Sequence, residues 1–141
     1  MTNGTPGSGW NDIGKLILRL AVGGLMIFHG IAKLKGGIGW MAGPLGAHHL
    51  PFFIGYGVYV AEVVGPILLI LGVLTRPAAA VIAFDMFMAI VLVVQGRLFA
   101  INERSGGLGG ELELFYLLAS VAIVFLGSGR FAVSRGTGRF D

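Results

Sequence analysis

A chain of 141 residues that is 55% hydrophobic and 12% charged, with mean hydropathy +0.86, departs far from soluble domains, where charge runs near 25%. That composition excludes a disordered segment, a nucleic-acid binder and an ordinary soluble enzyme, and the absence of cysteine excludes disulfides, dithiol shuttles and thiolate-held metals. A net charge of +3 carried by so few ionisable groups reads as orientation at a membrane surface, and 25 glycines, about 18% of the chain against a usual ~7%, suit closely packed membrane helices.

In chain order, residues 1–12 are expected to form a flexible, glycine-rich N-terminal tail. Four apolar runs then approach the ~20 residues a spanning helix needs, at about 13–34, 53–74, 77–95 and 110–127. They predict one membrane domain over 13–127, an all-α, integral membrane four-helix antiparallel bundle, followed by a basic C-terminal tail over 128–141. The last two runs are short for a ~30 Å core. Between the first two spans, Lys35 to Pro51 is long for a hairpin, so part of it is expected to lie along the interface. Trp10 and Trp40 stand where an interfacial aromatic belt would place them. His48-His49 reads as a solvated loop pair and no metal site is assigned. The second and third spans are joined by almost nothing. Thr75 is expected to cap the third span, with Pro77 in its first turn, where a missing N–H costs nothing.

An even number of spans puts both termini on one side. Lys15, Arg76, Arg130, Arg135 and Arg139 gather there, with Arg19 deeper, against Lys33, Lys35, Arg97 and Arg104 opposite. The bias favours both termini in the cytoplasm.

Each span carries an ionisable residue, which is expensive at membrane depth. Arg19, His29 and Lys33 lie on the first, Glu62 on the second, Asp85 on the third and Glu113 on the fourth. Counting 1.5 Å per residue along antiparallel helices brings His29, Lys33, Glu62, Asp85 and Glu113 into the middle and outer bundle, with Arg19 in the inner half. His29 and Lys33, four apart, share a face. Gly55, Glu62, Gly65 and Gly72 fall near one face, and these glycines are expected to bring a neighbouring helix close to Glu62. Pro66 cannot donate to the Glu62 carbonyl, which predicts a kink and a free acceptor there. Blander readings stand beside these. Arg19 and Lys33 can each snorkel to headgroups, His29 can sit neutral against a carbonyl, and Asp85 can pair with Arg19 or Arg76. Glu62 needs a partner or a proton in any case.

The residues then match a known pattern. Leu18-Arg19-Leu20 leads into Phe28-His29-Gly30-Ile31-Ala32-Lys33-Leu34; Glu62 and Gly65 precede Leu71-Gly72-Val73-Leu74-Thr75-Arg76-Pro77-Ala78-Ala79; the last span opens Gly109-Gly110-Glu111 and closes Leu126-Gly127-Ser128-Gly129-Arg130. Together these resemble the DoxX (DoxX/DoxD-like) family of small four-helix bacterial and archaeal membrane proteins. The resemblance implies residence in the cytoplasmic membrane and a place as subunit or partner in a quinone-linked redox or respiratory system. It also marks Arg19, His29, Lys33, Glu62, Arg76 and Glu113 as the family's polar positions. Quinone is then the candidate ligand of the polar cluster. Haem is disfavoured, because one histidine lies within a span and no methionine stands opposite it. The chain is not read as catalytic alone, and its expected partners are the bilayer and either a larger membrane complex or further copies of itself. The competing classes are a non-catalytic assembly subunit and, further off, a small transporter, for which Pro66 is the one broken-helix signal.

Overall fold

The computed structural model describes residues 8–141, and among them regular structure is helical, apart from a lone bridge between Ile101 and Leu108. The expected N-terminal tail lies outside the described residues over 1–7. The first helix, α1 (Ser8–Gly36), starts before Ile13, so its first turns project past the apolar run. It ends where Gly37, at φ +76°, donates its N–H to the Lys33 carbonyl at 2.7 Å. A 3-10 turn (Gly39–Met41) then leads into the short α2 (Ala42–Ala47), which puts helical structure in the long first connection.

The second long helix, α3 (Phe52–Leu71), is not uniform. It opens as a 3-10 segment, Phe52–Tyr56, and widens to a π-turn over Val60–Val64 before closing as a regular α-helix, Gly65–Leu71. Pro66 explains the widening. Without an N–H it cannot pair with the Glu62 carbonyl, and the turn ahead of it relaxes. The end of α3 is a Schellman cap: Gly72, at φ +72°, donates to Leu69 at 3.2 Å, and Val73 donates to Leu68 at 3.0 Å.

Thr75 does not cap the next helix, α4 (Thr75–Arg97). Leu74, at φ +48°, turns the chain so tightly after Gly72 that Thr75 is already helical. The Leu74 carbonyl accepts the first bond, from Ala78 at 3.0 Å, and the Thr75 hydroxyl is buried without a partner. A glycine-rich loop follows, and the chain enters α5 (Glu111–Leu126). At 16 residues α5 is roughly 24 Å long, so three helices of the described structure are long and apolar enough to cross a membrane, and α5 is shorter.

The four long helices pack side by side, most extensively α4 on α5 and α1 on α3. Val22 and Met26 of α1, Leu69 of α3, Ala79 and Ile82 of α4 and Ile123 of α5 meet in the core, and the small α4 side chains allow the close approach. The outer faces carry Phe28, Phe84, Phe115 and Phe125, all more than 60% exposed. In water such a surface would drive aggregation; in lipid it is the solvated face. The chain after α5 folds back across the ends of α3 and α4. Val133 donates to the Leu71 carbonyl at 2.9 Å, the Ser134 hydroxyl to Gly72 at 2.7 Å, and Arg76 N–H to Phe140 at 3.1 Å.

Candidate functional site

The polar cluster is built where α1 and α3 touch through backbone. A Cβ placed on Gly30 would collide with the Glu62 carbonyl, so only glycine allows this approach. Lys33, three residues further along α1, is thereby brought to Glu62, and its ammonium donates to Oε1 at 2.5 Å. Glu62 is 3% exposed, and its second oxygen, Oε2, is buried with no hydrogen-bond partner. Asp85 of α4 lines the same small cavity as Lys33 and Glu62. The Tyr59 hydroxyl donates to the Lys33 carbonyl at 3.2 Å and ties the end of α1 to α3.

Two cavities meet at this pair. One of about 170 Å³ is lined by His29, Lys33, Trp40, Glu62, Glu113 and Tyr116; a smaller one, about 60 Å³, shares Lys33, Glu62 and Trp40 and adds Asp85. The His29 and Tyr116 rings stand edge to face at 84°, centroids 6.0 Å apart. Beyond the smaller cavity opens an apolar cleft of about 440 Å³ between α2, α3 and α4, which shares Val58, Asp85, Met88 and Leu92 with it and reaches exposed Phe84. A charged interior therefore grades into hydrocarbon across Asp85.

His29, Lys33, Glu62, Asp85 and Glu113 are thus brought together. Arg19 is not among them. It is 1% exposed at the opposite end of the bundle, where it neither snorkels nor meets a carboxylate. Its guanidinium donates to the carbonyls of Leu69 at 2.8 Å and Ile70 at 3.1 Å, which end α3, and of Ser128 at 2.7 Å and Phe131 at 3.1 Å in the C-terminal segment. Planar, forked donors suit four converging carbonyls as lysine would not. Asp85 pairs with neither Arg19 nor Arg76; the latter donates to a main-chain oxygen of Asp141 at 2.7 Å. Of the glycines expected beside Glu62, Gly65 makes room for Ile82, Gly55 for Leu45, and Gly72 is the left-handed cap against Arg19. The close approach comes instead from α1, through Gly30 and, two turns earlier, Gly23 against the Pro66 carbonyl. His48 lies 3.3 Å from the Gln95 amide, and the described residues contain no group of three metal-ligating side chains.

Sequence reasoning missed Tyr116, Trp40 and Gly30 as site residues. Tyr116 was discoverable, because it follows Glu113 by three on one helix face. Gly30 sits between His29 and Lys33, and nothing local marks it as a contact.

A family model for DoxX matches residues 14–95. An uncharacterised Haemophilus influenzae protein is 38% identical over 119 residues, covering 82% of this chain and 84% of its own length. A Bacillus subtilis protein named "Putative oxidoreductase CatD" is 29% identical over 120 residues, covering 83% of this chain and 81% of its own. No solved structure matches.

Proposed function

The chain belongs to the DoxX family of membrane proteins, and on that premise we propose that it is a membrane subunit or partner of a quinone-linked redox system whose Lys33–Glu62 chamber receives a quinone headgroup. In this reading the protein crosses the cytoplasmic membrane four times with both termini inside. The observation that carries it is the buried, partnerless Oε2 of Glu62 at the junction of a polar chamber and an apolar cleft. An unsatisfied buried polar atom is costly, and a ligand able to hydrogen-bond there would remove that cost. The amphiphilic gradient fits the chemistry, a carbonyl-bearing ring for the chamber and a hydrocarbon chain for the cleft. The name of the B. subtilis relative is consistent with redox work.

When bound, a quinone supplies two-electron, two-proton chemistry. The chain's own contribution is to bind, orient and exchange protons. The Lys33 ammonium donates toward a carbonyl oxygen, and the Glu62 and Asp85 carboxyl groups give or take the protons that accompany reduction and oxidation. His29 and Glu113 line the route toward the loop end of the bundle.

Trp40 makes binding measurable. With Trp10 replaced by phenylalanine, Trp40 is the sole tryptophan and borders both cavities. Titrating a short-chain quinone into the protein in lipid nanodiscs should quench its fluorescence saturably. Glu62→Gln and His29→Ala should weaken binding, the former roughly 10- to 100-fold, as loss of a charge-assisted hydrogen bond predicts. Linear, non-saturating quenching, or saturation unchanged by both substitutions, would remove the proposal and leave the assembly-subunit reading.

A further inference from the structure

The opposite end of the molecule holds a second polar cavity, about 360 Å³, that the redox reading does not use. It lies where α1 passes the chain ends, and it is lined by four cations, Lys15, Arg76, Arg130 and Arg135, with the carboxylates of Asp12 and Asp141. Two of the cations are engaged. Arg76 donates to Asp141 O at 2.7 Å, and Arg130 lies 3.8 Å from Asp12, which also accepts the Arg130 N–H at 3.3 Å. No carboxylate among the described residues pairs with Lys15 or Arg135, so two positive charges face this space uncompensated.

Glycines gather these groups. Gly129, at φ +72°, lies so close to α1 that a Cβ there would come within 3.1 Å of Asp12 and Lys15. Gly136, at φ +67°, packs on the Gly129 carbonyl and carries Arg135 in with it. The backbone of the C-terminal segment therefore holds these groups against the start of α1. Its rim is apolar on the side of the bundle: Leu126 lines it and is 46% exposed, and exposed Phe115, eleven residues earlier, continues the same face of α5.

We infer that this cavity binds the phosphodiester headgroup of an anionic phospholipid, with Lys15 and Arg135 on the phosphate and the acyl chains along α5. The uncompensated charge selects an anion, and the apolar rim at the level of the helix ends selects one attached to hydrocarbon. Clustered cations in a polar pocket at the ends of membrane helices are the physical requirement for such recognition.

The test is native mass spectrometry of the full chain released from nanodiscs of phosphatidylcholine, with and without phosphatidylglycerol. The wild type should retain phosphatidylglycerol over phosphatidylcholine. Lys15→Gln with Arg135→Gln, which breaks no hydrogen bond, should weaken that retention roughly 30-fold at about fivefold per cation. Lys35→Gln with Arg97→Gln, at the other end, should leave it unchanged. Inorganic phosphate added in detergent should fail to displace the lipid. Equal retention of both lipids, an unaffected Lys15/Arg135 variant, an equally impaired Lys35/Arg97 variant, or displacement by phosphate alone would each overturn the assignment.

Discussion

Replacing Lys33 by methionine isolates the energetic logic of the chamber. Lysine and methionine fill similar space, so the perturbation is mainly the loss of one charge. Glu62 would then keep a carboxylate at 3% exposure with neither oxygen partnered from α1. Breaking a buried pair from one side costs about 3–5 kcal/mol, against about 0–1 kcal/mol for a surface pair. The Lys33 side chain is itself 23% exposed, which places the expectation at the lower end, about 3 kcal/mol. For a chain of this size that is an apparent Tm lower by roughly 6–12 °C. Adding Glu62→Gln to Lys33→Met removes the stranded charge and should bring stability to within about 1 kcal/mol of wild type, a recovery of roughly 2 kcal/mol over Lys33→Met alone. The assay is intrinsic fluorescence on heating in detergent micelles, repeated as a half-life at fixed temperature because membrane proteins commonly unfold irreversibly. If the single variant loses under about 1 kcal/mol, or the double variant is simply the sum of two losses, the pair does not hold the helices as described.

Three further outcomes follow from named contacts. Gly30→Ala should force α1 and α3 apart at Glu62 and cost about 1–3 kcal/mol, whereas Gly24→Ala, with nothing within 4 Å of its new Cβ, should be neutral or slightly stabilising by the same heating assay. Arg19→Gln should free the C-terminal segment by removing bonds to Ser128 and Phe131; limited proteolysis should cut within 128–141 markedly faster, and Arg19→Lys should recover only part of the protection. Trp40→Ala should open both cavities and raise the rate at which a hydrophobic carbodiimide labels the Glu62/Asp85 pair, read by peptide mass; an unchanged rate would mean Trp40 does not close the chamber.

The helices were legible because lipid imposes a length and a polarity that few sequences meet by accident, and the ionisable residues were conspicuous against them. Depth counting placed Lys33, Glu62, Asp85, His29 and Glu113 in one region because it needs only a rise per residue and a direction. It could not separate partners. Asp85 lies at a depth where several cations were conceivable, and only helix rotation decides that it faces Glu62. Arg19 was misjudged for a related reason. Its partners are main-chain carbonyls, one pair supplied by a tail more than a hundred residues away, and carbonyls have no signature in sequence. The glycine face on α3 was read on an ideal helical wheel, while the π-turn over Val60–Val64 changes the angular register on either side of Glu62.

The bonding of Arg19 also bears on how the protein is made. The first helix enters the membrane early in synthesis, yet two of the four acceptors for its guanidinium, at Ser128 and Phe131, are produced after every spanning run has been completed. Until then a bare cation about three turns into α1 must reach the headgroup boundary to be tolerated. Its move to a site 1% exposed is therefore a late event that closes the first helix onto the last segment of the chain. Truncations removing residues 128–141 should insert normally and fail at this final step, leaving the helices without the clasp that joins their ends.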